Sequence, residues 1–118
     1  MIEKNFEGVS VRWVIALKGE AEEIIKNYAM KRVETTPFPV YKNKDLDMWL
    51  ILSGIGQLNA VAATSYLYVK SDASYNTIWI NFGIGGSRNF KVGALIQIDK
   101  ITSSDFHDNY YPSPSAFK

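Results

Sequence analysis

Apolar positions along the 118-residue chain fall in successive stretches, and the spacing within each stretch selects an element. Residues 9–17, VSVRWVIAL, are rich in β-branched and aromatic side chains and close on an apolar run, as a buried strand does. After Gly19, Ala21, Ile24, Ile25 and Tyr28 recur at helical spacing while Glu20, Glu22, Glu23 and Lys26 face away, which predicts an amphipathic helix over 19–30. Residues 48–54, MWLILSG, form a second predicted buried strand, and 77–83, TIWINFG, a third. Between them, 56–70 predicts a helix whose small residues Ala60, Ala62, Ala63 and Ser65 allow it to lie close on a sheet. Residues 94–101, ALIQIDKI, alternate apolar and polar positions like a half-buried strand.

Pro37, Pro39 and the KNKDLD cluster interrupt the stretch 31–47, which predicts short edge strands joined by a turn around Asn43. Trp13, Trp49 and Trp79 all fall on predicted strands, where core packing is the default role. Strand, helix, strand, helix, strand at short spacing predicts an α/β fold with a central mixed, largely parallel sheet flanked by helices. A parallel sheet is normally covered on both faces, and two long helices leave this one unfinished at Lys118. The 118 residues are therefore expected to be a single domain or the amino-terminal half of a larger one.

Composition narrows the function. Apolar residues make up 47% and charged residues 21%, the balance of a folded domain rather than of a disordered or coiled-coil chain. A net charge of +1 with scattered basic residues lacks the footprint of a nucleic-acid binder. The absence of cysteine removes disulfides, thiolate nucleophiles and cysteine-containing zinc sites. One histidine and no clustered carboxylates at ligand spacing predict no metal site. No apolar run approaches the ~18 residues of a membrane span, and the polar start resembles no targeting peptide, so a cytoplasmic address without membrane attachment is expected.

The remaining candidates for chemistry sit at predicted strand ends, where ligands bind in open α/β sheets. Ser53-Gly54-Ile55-Gly56 joins a strand to a helix, either as a plain tight connection or as a loop whose backbone approaches a ligand. The full dinucleotide fingerprint would need glycine at Asn59, and no phosphate-loop lysine follows. Asn81-Phe82-Gly83-Ile84-Gly85-Gly86 ends the third strand and is either a flexible turn or a second ligand-facing loop. Glu20, in the first turn of a helix, is by itself an ordinary solvated carboxylate or one placed to orient a hydroxyl. His107 and Asp108 are sequence neighbours, which does not make a catalytic dyad.

In order along the chain, ALKGEAEEI (16–24), LSGIGQLNA (52–60), INFGIGG (80–86), KVGALIQIDKI (91–101) and FHD (106–108) resemble the superfamily of purine nucleoside phosphorylases and methylthioadenosine/S-adenosylhomocysteine nucleosidases. The resemblance covers residues 11–108 and implies a domain about twice as long. It implies that Glu20 helps hold the attacking water. It also implies that the loop from Gly54 to Asn59, with Ile55 and Gly56, shapes the sugar side of a nucleoside pocket, that Gly83, Ile84, Gly85 and Gly86 lie under base and ribose, and that Asn81 is a further substrate-binding position. Base-contacting, ribose-binding and purine-protonating residues are expected outside these 118 residues, so the chain alone is expected to be inactive.

The related phosphorylases carry an arginine where this chain has Asn81, and a neutral amide cannot replace a guanidinium for a phosphate dianion. The expected activity is therefore hydrolysis of a purine nucleoside, with no cofactor. Two departures weigh against it: Ile84 stands where a hydroxyl residue is usual, and Ala94 where an aspartate is common. A phosphorylase with a rebuilt phosphate site at Arg88 or Lys91, or an inert nucleoside-binding member, are the alternatives. The resemblance also implies a homodimer or higher homo-oligomer, with His107 and Asp108 in the candidate contact segment.

Overall fold

The computed structural model describes residues 6–98, 101–102 and 109–110. Contacts divide the chain into two units, Met1–Gly85 and Gly86–Lys118. The first contains β1 (Val11–Ile15), α1 (Lys18–Asn27), β2 (Lys31–Glu34), β3 (Val40–Lys42), β4 (Met48–Leu52), α2 (Gln57–Lys70) and β5 (Ile78–Asn81). Its five strands are ordered β2-β3-β4-β1-β5. The sheet is mixed, as expected: β1 runs parallel to β4 and β5, whereas β2–β3 and β3–β4 are antiparallel.

Alternation along each strand sends side chains to opposite faces, and one helix covers each face. Val11, Trp13 and Ile15 of β1, Met48, Leu50 and Leu52 of β4 and Tyr41 of β3 pack with Ala21, Ile24, Ile25 and Tyr28 on the α1 side. Val14, Val40 and Ile51 pack with Ala63 and Leu67 of α2 on the other, joined by the partly buried Trp49 and Trp79. Burying each of these large apolar side chains contributes about 1.5–3 kcal/mol, so the two layers supply most of the driving force. The strands and helices expected within residues 9–83 are all present, with the tryptophans on strands.

Four features differ from expectation for identifiable reasons. The first helix ends at Asn27 rather than near residue 30, because Ala29 turns left-handed (φ 48°) and the Met30 N–H closes back on the Ile25 carbonyl at 2.8 Å. The turn around Asn43 joins β3 to β4, not the two short strands: Asn43 Oδ1 accepts the amides of Asp45 and Leu46 at 2.7 and 2.6 Å, and its Nδ2 donates to the Tyr28 carbonyl. The proline-bearing residues 35–39 connect β2 to β3, and only β2 is an edge, since β3 lies between β2 and β4. The predicted third buried strand, β5, is half-exposed, with Ile78 at 50%, because it pairs only with β1 among the described residues.

In the second unit the expected strand over 94–101 does not form across 94–98. Those residues are irregular and exposed, since alternation supplies a face but not the ladder partner that a strand requires. β6 (Ile101–Thr102) and β7 (Asn109–Tyr110) pair antiparallel, Ile101 opposite Tyr110.

Edge strand β2 is tied to α2 by Glu34, which accepts the Tyr66 hydroxyl hydrogen bond and pairs with the Lys70 ammonium. Lys70 first, and then Tyr66, hold the Glu34 carboxyl below its ordinary value. The sign follows from linkage: the contribution is complete above the ordinary glutamate value of 4.5 and is lost as pH falls through the lowered folded value. Glu34→Gln is therefore expected to lower the thermal midpoint at neutral pH, with the gap to wild type closing as the solution is acidified below the ordinary glutamate value. A gap independent of pH in a melting series would remove the ion pair from the account.

Candidate functional site

The site is built where three neighbouring parallel strands end side by side. The β4–β1 pairing continues past both strand ends, with Ser53 N donating to Ile15 O at 2.9 Å and Gly54 N to Ala16 O at 3.0 Å. On the other flank of β1, Phe82 N reaches Val14 O at 3.3 Å. The segments following β4, β1 and β5 thus leave the sheet together at its carboxyl edge, the position that favours ligand binding in α/β folds.

After β4, Gly54 (φ 79°) and Gly56 (φ 100°) adopt backbone conformations closed to other residues at little cost, which turn the chain directly into α2. The exposed Ile55 lies between them, and Asn59 Nδ2 clasps the loop by donating to the Ile55 carbonyl at 2.8 Å. Ala60 N bonds to Gly56 O at 3.0 Å as the first helical bond, so the amides of 57–59 precede the ladder at the positive end of the α2 dipole. The loop is at once a tight connection and a surface of backbone donors.

After β1, Leu17 caps α1 without a side-chain acceptor, and Glu20 in the first turn supplies one. Glu20 Oε1 accepts the Leu17 amide at 3.1 Å, half of a capping box. Glu20 Oε2 accepts the Ile84 amide at 2.9 Å from 64 residues away. The bare α-carbon of Gly83 permits this approach, because a Cβ there would stand 3.2 Å from the same oxygen. Asn81, exposed at the end of β5, lies opposite Val14 in the register, and Gly85 follows in the same exposed segment.

The structure therefore brings Glu20, Gly83 and Ile84 into direct juxtaposition, with the loop carrying Gly54, Ile55 and Gly56 on the adjoining strand end. Gly86 opens the second unit and is exposed. His107 and Asp108 lie outside the described residues. Among the described residues no group of three or more histidines, aspartates or glutamates is placed to hold a metal ion, and no helix is long and apolar enough to cross a membrane.

Sequence reasoning named Ile55 and Ile84 as site residues but missed Leu17 and the apolar surface that the three make together. Leu17, Ile55 and Ile84 are 47%, 73% and 86% exposed, so each of the three strand ends presents an aliphatic side chain to solvent. The role of Asn59 as a clasp is not legible in the sequence, because its bond to the Ile55 carbonyl depends on the loop conformation. The Ile84 side chain offers no hydroxyl, yet its main-chain N–H reaches Glu20, a signal available only from the fold.

No family model matches the sequence, and no curated protein matches it. Among solved structures, the chain is similar to the 5′-methylthioadenosine/S-adenosylhomocysteine nucleosidase of Neisseria meningitidis in complex with methylthio-immucillin-A, at 30% identity and a TM-score of 0.57. The match covers 71% of this chain and 37% of that one, so the chain spans well under half the length of its structural neighbour.

Proposed function

We propose that this chain, which carries the fold of the nucleoside phosphorylase and nucleosidase superfamily, supplies the sugar-side part of a site that hydrolyses the N-glycosidic bond of a purine nucleoside. The observation that carries the proposal is the placement of Glu20 beside Gly83 and Ile84 at the carboxyl edge of adjoining parallel strands. The neighbour's bound methylthio-immucillin-A, a nucleoside analogue, supports a nucleoside as ligand. The aliphatic side chains of Leu17, Ile55 and Ile84 favour a substrate with an apolar substituent, as in methylthioadenosine.

In the proposed reaction, water adds to the anomeric carbon as the bond to the purine nitrogen breaks. The bonding electron pair leaves with the purine, which takes up a proton, and the sugar keeps the hydroxyl. The Glu20 carboxylate accepts a hydrogen bond from the water and orients it, while the positive charge that develops on the sugar is stabilised by a nearby carboxylate. Exposed Asn81 offers an amide and no cation, which supports water over phosphate as nucleophile.

For the 118 residues alone we expect no turnover, because the groups that bind and protonate the base are assigned by resemblance to positions outside them. The decisive assay is release of adenine from methylthioadenosine in phosphate-free buffer by the complete gene product. Release at a rate unchanged by added phosphate is expected. Strict phosphate dependence, with ribose 1-phosphate chemistry in the product, would overturn hydrolysis in favour of phosphorolysis.

A further inference from the structure

We propose that Glu20 has a second role, as the latch that positions the loop after β5, and that this role is exerted through the Ile84 amide rather than on the substrate. The β5 ladder ends with the Phe82 amide on Val14 O at a long 3.3 Å. Beyond it, the bond from Ile84 N to Glu20 Oε2 is the one hydrogen bond seen for residues 83–85 among the described residues. Glycine at 83 and 85 gives this segment little intrinsic preference for one conformation. Its position is therefore set by the carboxylate.

Glu20 is fixed at its other end, because Oε1 is held by the Leu17 amide in the α1 cap. The carboxylate is a strut between the end of β1 and the end of β5, two segments joined beyond the Phe82–Val14 bond by no other hydrogen bond seen among the described residues. A carboxylate has about four lone-pair sites. Two are used by the amides, which leaves room for a ligand hydroxyl or water without breaking the latch. The closeness of Gly83 completes the device, since a Cβ at 3.2 Å would press on Oε2 and displace the end of the glutamate side chain.

The latch rests on the nucleoside reading only for what the ligand is, so its test is made without ligand. Amide hydrogen exchange resolved by residue is measured on the full chain for wild type, Glu20→Gln, Glu20→Ala and Gly83→Ala. Exchange at Ile84 is expected to rise at least about tenfold in Glu20→Ala, with the amides of β1 and β4 unchanged as the internal control for folding. Glu20→Gln keeps one carbonyl acceptor for two amides and is expected to protect Leu17 or Ile84 but not both. Gly83→Ala is expected to raise exchange at Ile84 alone.

A merely capping glutamate would move only Leu17 and the first turn of α1. Unchanged exchange at Ile84 in Glu20→Ala overturns the latch whatever the protein binds. Loss of Ile84 protection in a protein that binds no nucleoside upholds the latch and sinks the proposed function instead.

Discussion

Glu20→Gln, measured on a preparation that cleaves methylthioadenosine, is expected to lower kcat by about a hundredfold to ten-thousandfold, the range lost with a positioned acid–base group. The substitution preserves size and removes charge. Glutamine offers one carbonyl oxygen where the carboxylate offers two, so it cannot accept from Leu17 N and Ile84 N while also receiving a proton-donating water. Its amide nitrogen would instead face an amide N–H, donor against donor.

KM is expected to change much less than kcat, since in the proposed reaction the carboxylate would act on the nucleophile and on charge that develops only in the transition state. Glu20→Asp is the stricter control. It keeps the charge on a side chain one methylene shorter, which cannot span from the α1 cap to Ile84, so it is expected to lose activity to a similar degree. Turnover within about threefold of wild type in Glu20→Gln would exclude Glu20 from the chemistry.

How far this site was legible depends on whether each part is local. Helix and strand periods are local properties, so residues 11–15, 48–52 and 57–70 carry their elements in their own spacing. Because β1 is buried on both faces, its run is apolar at every position but Arg12 and shows burial without showing which side chains meet α1 and which meet α2. The glycine loops and Glu20 drew attention through their order along the chain. The bond from Ile84 to Glu20 spans 64 residues and depends on β1 lying beside β5, which no local pattern encodes.

The failure over 94–98 is the converse. Alternation there is as regular as in any strand of this chain, yet a strand exists only with a partner, and none is present among the described residues. Asn43 shows an intermediate case. Its turn-forming chemistry was evident, but which strands it joined depended on β3 entering the sheet interior.

Arg12→Ala is expected to cost about 3–5 kcal/mol of folding stability, through buried carbonyls left without a donor and the cavity left by the side chain. The signal lay in one charged residue within an otherwise apolar run destined for burial, and the structure encloses that residue completely. Its guanidinium donates to Ser71 Oγ at 2.7 Å, to Ser71 O and Val11 O at 3.0 Å and to Asp47 O at 3.1 Å, and pairs with the Asp47 carboxylate at 3.0 Å. It thereby pins the carboxyl end of α2 and the residue before β4 to the start of β1. Three carbonyls would lose this donor on truncation, and a cavity would open beside Trp49, which lies 6.0 Å from the guanidinium.

The ion pair is the lesser part, because the Asp47 side chain is 55% exposed and an exposed pair contributes at most about 1 kcal/mol. Asp47→Asn is therefore expected to shift the urea midpoint slightly, and Arg12→Lys to fall between it and Arg12→Ala, since one ammonium cannot serve the same four acceptors. Arg12 lies toward the amino end of β1 and Glu20 beyond its carboxyl end, so a destabilised Arg12 variant is expected to retain wild-type protection at Ile84 under conditions where it is still folded. Equal losses in Asp47→Asn and Arg12→Ala would assign the stability to the charge pair rather than to the carbonyls.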